Sequence, residues 1–281
     1  MFTRRLSFSA LACCLLMVGA VHAEPFKGSW TMRAAEQPGK VYFGLSYHRK
    51  GGQSQHESDW DIASFIGLDS SPAKHDVKFA VDRDAGRFDC SGYLEAAEGA
   101  GIFLFTPNPE FAKQMASLGF TGIDDDRQFA MAVHDVTVEF ARMMKAEKLT
   151  GLDTDKLIAF RIFDVNPQFI RELRAASLNA EDSNKLIAFR VHGVTPAMVS
   201  ELRDAGIDAS EDELIAFRVH GVSPQFVREV AALGYANPKP QQLISMKIFG
   251  ITPKYIADLK ARGLKDLSID KMVQLKVNGI E

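Results

Sequence analysis

One pattern of apolar and polar residues recurs along the C-terminal part of the chain. The stretch Leu157-Ile-Ala-Phe-Arg-Ile-Phe-Asp-Val-Asn-Pro returns from Leu186 and from Leu214 with few changes, and more loosely from Leu243. The prolines that close these four stretches are spaced by 29, 28 and 29 residues: Pro167, Pro196, Pro224 and Pro253. Counting back by 29 places Val138 and then Pro109 in the same register. Self-similarity at a fixed period of this length predicts a repeat architecture.

Each unit is predicted to form two short helices. In the third full copy, Ser210 and Glu213 have the spacing of a capping box, which starts the first helix. The stripe of this helix that we expect to be buried comprises Leu214, Ile215, Phe217 and Val219. The second helix begins at Ser223-Pro224, an N-cap followed by proline at the first helical position. Its inward face comprises Phe226, Val227, Val230 and Leu233.

A left-handed turn is predicted to join the two helices of a unit. Glycine and aspartate tolerate that backbone conformation better than most residues, and they fill the turn slot in six units: Asp135, Asp164, Gly193, Gly221, Gly250 and Gly279. Helices of about nine residues are marginal in isolation because nucleation is not offset over so few turns. The units must therefore stack. We expect an α-solenoid-like array of helical hairpins over residues 106–281 that ends in a half repeat.

Residues 24–105 lack the helical period. Short runs of β-branched and aromatic residues begin at Ser29, Val41, Val77, Arg87 and Gly101. Asp82-Arg-Asp-Ala-Gly-Arg has the composition of a hairpin turn between two such runs. These runs predict an antiparallel sheet of five or six strands that caps the first repeat, since an open stack needs caps. The expected fold class is α+β, a small N-terminal antiparallel β domain followed by the helical array.

Residues 1–23 are predicted to be a signal peptide. Arg4 and Arg5 precede an apolar run, Leu6–Val21, and Ala23 stands at a small-residue cleavage site before Glu24. The sequence has no other long apolar run. We therefore expect a mature chain without a membrane span, exported to the periplasm or outside the cell.

Charge and cysteine content narrow the function classes. The chain of 281 residues is 46% hydrophobic and 25% charged, which is typical of a folded soluble protein. Its formal net charge is −3, and removing Arg4 and Arg5 makes it more negative, which disfavours nucleic acid as a partner. Cys90 would be the one cysteine left after the signal peptide, so no intrachain disulfide is expected. Asp89 and Glu95 beside it favour an inert thiol.

Two ladders of charge run through the repeats. The cations, in the last turn of each first helix, are Arg161, Arg190, Arg218 and Lys247, followed by Lys276. Eleven residues after the first four come acids: Glu172, Glu201, Glu229 and Asp258. Where Ala132 takes the cation slot, Met143 takes the acid slot. Because both charges vanish together, we predict ion pairs inside each unit, such as Arg218 with Glu229, in preference to an anion-binding ladder.

A histidine slot and an acidic triplet are candidate metal ligands. His134, His192 and His220 occupy a slot that also holds Phe163 and Phe249. Stacked helices lie about 8–10 Å apart, whereas zinc ligands lie within about 2.3 Å of one ion, so we expect aromatic packing there. Asp124-Asp-Asp126 lacks the loop pattern of a calcium site, and we expect it to mark the start of a helix. No metal or cofactor is expected.

The turn His192-Gly-Val-Thr-Pro resembles the helix-hairpin-helix DNA module. In that module, backbone amides of a Gly-x-Gly turn hold a phosphate. Here Thr195, Ser223 and Thr252 replace the second glycine. Nucleic-acid binding is therefore kept only as an alternative.

The unit Leu-Ile-Ala-Phe-Arg-Val-His-Gly-Val-Thr-Pro…Leu-Arg-Asp-Ala-Gly resembles helical repeats of bacterial exported proteins. Some of these are fused to, or accompany, membrane metallopeptidases of the β-lactam-sensor type. The resemblance covers roughly residues 103–281 and includes the segment Phe103-Leu-Phe-Thr-Pro-Asn-Pro. It implies an accessory or regulatory role. The chain has no His-Glu-x-x-His stretch, so the resemblance does not extend to peptidase activity.

Two classes of function follow from these observations. The favoured one is a non-enzymatic exported scaffold that binds a protein or peptide partner through its helical repeats. The alternative is an enzyme with a site at the junction between the β domain and the repeats, although the sequence contains no nucleophile elbow, phosphate loop or zinc spacing.

Overall fold

The computed structural model describes residues 26–49 and 52–279. These residues form six strands followed by twelve short helices, so the predicted α+β fold class is confirmed. The strands are β1 (Phe26–Ala34), β2 (Lys40–Arg49), β3 (Gly52–Asp61), β4 (His75–Arg83), β5 (Gly86–Glu95) and β6 (Glu98–Pro107). The predicted signal peptide lies outside the described residues.

The strands form one antiparallel sheet in the order β3-β2-β1-β6-β5-β4. The predicted hairpin joins β4 to β5, with Arg83 paired to Gly86 across a tight turn. β3 was not among the strand runs identified in the sequence. Its sequence is almost entirely polar, and Trp60 is its one fully buried residue, so it carries little hydrophobic alternation to detect.

The sheet curls around an aromatic core. Its edge strands are β3 and β4, yet Phe43 of β2 lies 6.1 Å, between ring centroids, from Phe79 of β4. The segment after β3 closes the open side, because Ile66 and Ala80 exchange backbone hydrogen bonds of 2.7 and 2.9 Å. The interior is therefore enclosed on both edges of the sheet.

The helices form two layers. The first helices of the units are α2 (Asp125–Val133), α4 (Thr154–Ile162), α6 (Ser183–His192), α8 (Glu211–His220), α10 (Pro240–Ile248) and α12 (Ile269–Val277). The second helices are α1 (Pro109–Ser117), α3 (Val138–Ala146), α5 (Pro167–Ala175), α7 (Pro196–Asp204), α9 (Pro224–Ala232) and α11 (Pro253–Ala261). Each first helix contacts the next first helix along the whole series. We call these the first-helix layer and the second-helix layer.

The turn between the two helices of a unit is left-handed, as the glycine and aspartate slot predicted. Asp135 and Asp164 have φ of 53°, and Gly193, Gly221 and Gly250 have φ of 70°, 72° and 66°. The second helix then begins at a capped residue. In α7, for example, the Thr195 hydroxyl accepts a hydrogen bond from the Met198 amide.

The sheet covers the first end of the array. Helix α2 packs on β5 and β6, and its buried Phe129 stacks on Phe26 with ring centroids 4.3 Å apart. Buried Gln128 donates hydrogen bonds of 2.7 Å to the carbonyls of Ala85 and Asn108. The apolar core therefore continues from the sheet into the helices.

Candidate functional site

The cation ladder joins neighbouring units. Arg161 donates from Nε to the His134 carbonyl at 3.1 Å and from its terminal nitrogen to the Asp135 carboxylate at 3.0 Å. Arg218 donates to the His192 carbonyl at 2.9 Å. In both cases the partner is the turn of the preceding unit. The predicted pairs inside a unit, such as Arg218 with Glu229, do not occur in the described part of the chain, so that prediction was wrong.

The same cations also cover rings of the preceding second helix. The cation-to-centroid distance is 3.8 Å for Arg190 over Phe169 and 4.1 Å for Lys247 over Phe226. Ala132 has no such role: it is fully buried, in a helix that packs on strands β5 and β6 where later first helices pack on a preceding first helix. The absence of a cation there therefore has a cause unrelated to Met143.

The acids of the second ladder lie on the outside of the second-helix layer. Glu172 accepts a hydrogen bond from Gln168 and Glu229 accepts one from Gln225. Asp258 pairs with Lys254 at 2.7 Å, and Glu201 lies 3.8 Å from Arg228 of the next second helix. These contacts are local and exposed, so they make a polar surface.

A second set of cation contacts was missed in the sequence. A lysine or arginine near the end of a second helix donates to the carbonyl at the end of the preceding second helix. The pairs are Lys145 to Leu118, Arg174 to Glu147, Arg203 to Ala176 and Lys260 to Leu233. The repeat spacing of these cations was the available signal. Contacts of the same kind thus join units in both layers, except from α9, whose last turn carries no cation.

The first-helix layer exposes a row of apolar side chains. Val219 was predicted to be buried, but 57% of its surface is exposed. Val219 lies two positions beyond the buried Phe217, hence about 200° further around the helix axis, on the opposite face. Equivalent residues have similar exposure: Ile162 49%, Val191 54%, Ile248 53% and Val277 61%. We call these five residues the apolar row.

Other apolar residues widen this surface. Phe163 and Phe249, each next to a row residue, are about two-fifths exposed, at 39% and 40%. Ile187 and Ile215, one turn before a row residue, are partly buried. The first helices are therefore apolar on two faces, although only one face packs against the second-helix layer. Exposed apolar residues repeated on adjacent helices are typical of interaction sites.

The histidine slot has two different environments. His134 packs edge to face on His56 of β3, with ring centroids 4.6 Å apart, as the packing interpretation predicted. His192 and His220 are exposed beside the apolar row, so the packing prediction was wrong for them. Among the described residues no group of three or more histidine, cysteine, aspartate or glutamate side chains could hold a metal ion.

A cleft of about 380 Å³ lies at the junction of the β domain and the repeats, where the alternative enzyme site was expected. Arg83 spans it, with its guanidinium 4.5 Å from the Trp60 ring centroid and 3.4 Å from Asp135. Burial lowers the pKa of His134 to about 4, helped by His56 and Arg161, and burial also lowers the pKa of His56. Both imidazoles are therefore neutral at neutral pH.

The cleft also contains a serine–histidine contact. The Ser58 hydroxyl lies 3.1 Å from His56 Nε2 and accepts a hydrogen bond of 2.9 Å from the Trp60 indole. A serine hydroxyl in this position can pass its proton to the imidazole. Within residues 26–49 and 52–279, however, no carboxylate contacts the His56 ring to orient it as in a catalytic triad.

The remaining candidates are structural. Cys90 is buried, and burial together with Asp89 raises the pKa of its thiol to about 12, so the thiol stays protonated. Asp124 caps α2 by accepting from the Arg127 amide, which agrees with a helix entry. The hydroxyls that replace the second glycine of the DNA module serve as helix N-caps in the same way: Thr195, Ser223 and Thr252.

Comparison of the chain with protein-family models finds no match, and comparison with curated proteins finds none. The resemblance to exported repeat proteins therefore stays a prediction. None of the helices in the described ranges is both long and apolar enough to span a bilayer.

Proposed function

We propose that this chain is a non-enzymatic scaffold that binds a protein partner along the apolar row. The observation that carries the proposal is that one half-exposed aliphatic residue recurs at the same slot in five successive first helices. Stacking of the units does not require it, since the buried faces of the helices already supply the core. A residue repeated without a packing role is best explained by a surface that contacts something else.

The geometry favours an elongated partner. Adjacent packed helices lie about 8–10 Å apart, so five rungs extend over roughly 30–40 Å. A partner helix of about 20–25 residues covers that length at 1.5 Å per residue. The cation contacts hold both layers in place before binding, and a preorganised surface spends less of its interaction energy on ordering.

An accessory or regulatory role outside the cytoplasm fits this proposal. It is supported by the predicted signal peptide and by the resemblance to exported repeats that accompany membrane sensor peptidases. Under this proposal the partner is a protein of the same compartment, and the chain needs no cofactor.

Partner capture with paired variants tests the proposal. The double variant Val191→Lys with Val219→Lys replaces two row residues by cations, which suit the last turn of a helix. The control, Ser200→Lys with Gln225→Lys, adds the same charge to exposed positions of the second-helix layer. We expect the control to capture the same species as the parent from a periplasmic extract and the row variant to lose it. Equal capture by both variants, with unchanged melting temperatures, would contradict the proposal.

The serine–histidine contact in the junction cleft favours one second candidate, a hydrolase. Its test is hydrolysis of a panel of activated esters by the parent and by Ser58→Ala. Turnover that disappears in Ser58→Ala would support the enzyme. Equal background rates would leave the cleft without catalysis.

A further inference from the structure

A second binding surface lies on the outer face of the sheet. A cleft of about 750 Å³ is formed by β1, β4, β5, β6 and Ile66. It shares no lining residue with the apolar row or with the junction cleft. Its size falls in the range of about 300–1,000 Å³ typical of small-molecule sites.

Strand β6 contributes apolar side chains to the cleft where strand alternation leads us to expect polar residues. The outward-facing positions of β6 include Ile102, which is 67% exposed, and Leu104. Ile66, which is 52% exposed, lies on the far side beyond β4. The core does not use these side chains, since the inward residues of β6, Phe103 and Phe105, fill it.

Lysines stand on both sides of strands β5 and β6. Lys27 of β1 is paired with Leu104 in the strand register, and Lys78 of β4 is paired with Ser91, the neighbour of Ile102. In the part of the chain that the structure describes, neither lysine has an ion pair or a side-chain hydrogen bond.

The acid in the cleft already has a partner. Asp89 is held by Arg87 at 2.8 Å, and Arg87 also binds Asp82 at 2.7 Å. Because Asp82 and Asp89 share one guanidinium, these two acids together with Arg87, Lys27 and Lys78 leave a net charge of +1 around the cleft. Apolar side chains of β6 with lysine ammonium groups on either side complement a molecule that has an apolar chain and a negative head.

We propose that this cleft binds a single-chain amphipathic carboxylate, of the fatty-acid class. The chain lies along Ile102 and Leu104 of β6, which it removes from water. The carboxylate accepts charge-assisted hydrogen bonds from Lys27 or Lys78. This inference is independent of the scaffold proposal, because the two surfaces share no residue.

Calorimetric titration with dodecanoate below its micelle concentration tests the inference. Dodecyltrimethylammonium, which has the same chain and the opposite charge, is the matched probe. We expect saturable binding of dodecanoate at one site and no measurable binding of the cation. Equal affinity for both probes, or no binding of dodecanoate, would overturn the assignment.

Variants locate the site. Ile102→Asp places a carboxylate in the cleft and is expected to weaken dodecanoate binding by about 10-fold or more, and Ile102→Ser tests the apolar contribution without the charge. Lys27→Gln with Lys78→Gln is expected to weaken binding roughly 3- to 10-fold. The control is Lys40→Gln, an exposed lysine of β2 outside the cleft. Unchanged affinity in both Ile102 variants would overturn the inference.

A vesicle-binding experiment distinguishes a free amphiphile from a membrane surface as the ligand of the cleft. Co-sedimentation with anionic phospholipid vesicles should not depend on Ile102 if the cleft takes a free amphiphile. Vesicle binding that Ile102→Asp abolishes, without dodecanoate binding to the parent, would assign the surface to a membrane and overturn the proposal.

Discussion

Gly221 ends helix α8 with φ of 72°, and a Cβ added there would meet no atom within 4 Å. The cost of replacing it is therefore backbone strain alone. We expect Gly221→Val to lose about 1–3 kcal/mol of unfolding free energy. Gly221→Asn is the matched control, because asparagine tolerates the left-handed region. Thermal melts compare the two, and a Gly221→Val protein that melts like the parent would contradict the assigned strain.

The neutral pair His56 and His134 makes stability depend on pH. Burial lowers the pKa of both imidazoles in the folded chain, whereas unfolded histidine titrates near 6.5. The unfolded state therefore binds more protons between pH 6.5 and about 4, and stability falls as pH falls through that window. His134→Phe uses the residue that fills the same slot in the next unit. We expect urea unfolding at pH 7 and pH 5 to show a smaller loss in this variant, and an identical loss would refute the linkage.

The cation ladder allows a double-mutant cycle with an internal control. Arg190 lies 3.2 Å from Asp164 of the preceding turn, so Arg190→Ala and Asp164→Ala should couple by up to about 1 kcal/mol. Arg190→Ala and Glu201→Ala should be additive, because among the described residues these two side chains pair with Asp164 and Arg228 and not with each other. Coupling of Arg190 to Glu201, with no coupling to Asp164, would contradict this result and support an ion pair inside the unit.

At the residue scale, the sequence predicted correctly the conformations that depend on the type of a single residue. It predicted wrongly the ion pairs, for which the contact partner of a side chain has to be known. The left-handed slot follows from the glycine and aspartate types alone. The partner of Arg218 does not follow from residue type. In a periodic chain Glu229 lies at a fixed spacing after the arginine and His192 lies at an equally fixed spacing before it, so the spacing does not say which of them Arg218 contacts. The register of the repeat is known from sequence, but which neighbouring unit a side chain reaches is not.

At the scale of elements, the apolar pattern of the first helices predicts more burial than the structure shows. Apolar residues on both faces predict full burial, yet only the face of Leu214 and Phe217 meets the second-helix layer. Strand β3 shows the reverse problem, since its sequence is polar and its place in the sheet comes from backbone pairing with β2. Single-sequence patterns report how apolar an element is, and the tertiary structure decides which face is covered.

Substitutions on the two faces of one first helix should therefore destabilise the protein to different extents. Phe217→Ala removes a fully buried ring and should lose about 3–5 kcal/mol of unfolding free energy. Val219→Lys, two residues on, should change it by no more than about 0.5 kcal/mol. Denaturant unfolding of both variants gives the comparison, and a large loss for Val219→Lys would show that the row is part of the core.

At the scale of the whole molecule, the sheet and the helices share one continuous core. The capping role of the sheet follows from the sequence, because an open stack of short helices must be covered at its end. The two candidate binding surfaces do not follow from it. The apolar row required knowing which helical faces remain uncovered, and the outer-sheet cleft required the strand order that places Lys27, Leu104 and Lys78 on one face.

Site-specific photo-crosslinking in cells that export the chain tests the docking claim most directly. A benzophenone amino acid replaces Val191 or Val219 in the apolar row, or Ser200 or Gln225 on the second-helix layer. We expect one protein adduct from both row positions and none from the two second-layer positions. Adducts from the second-layer positions, or none from the row, would contradict it.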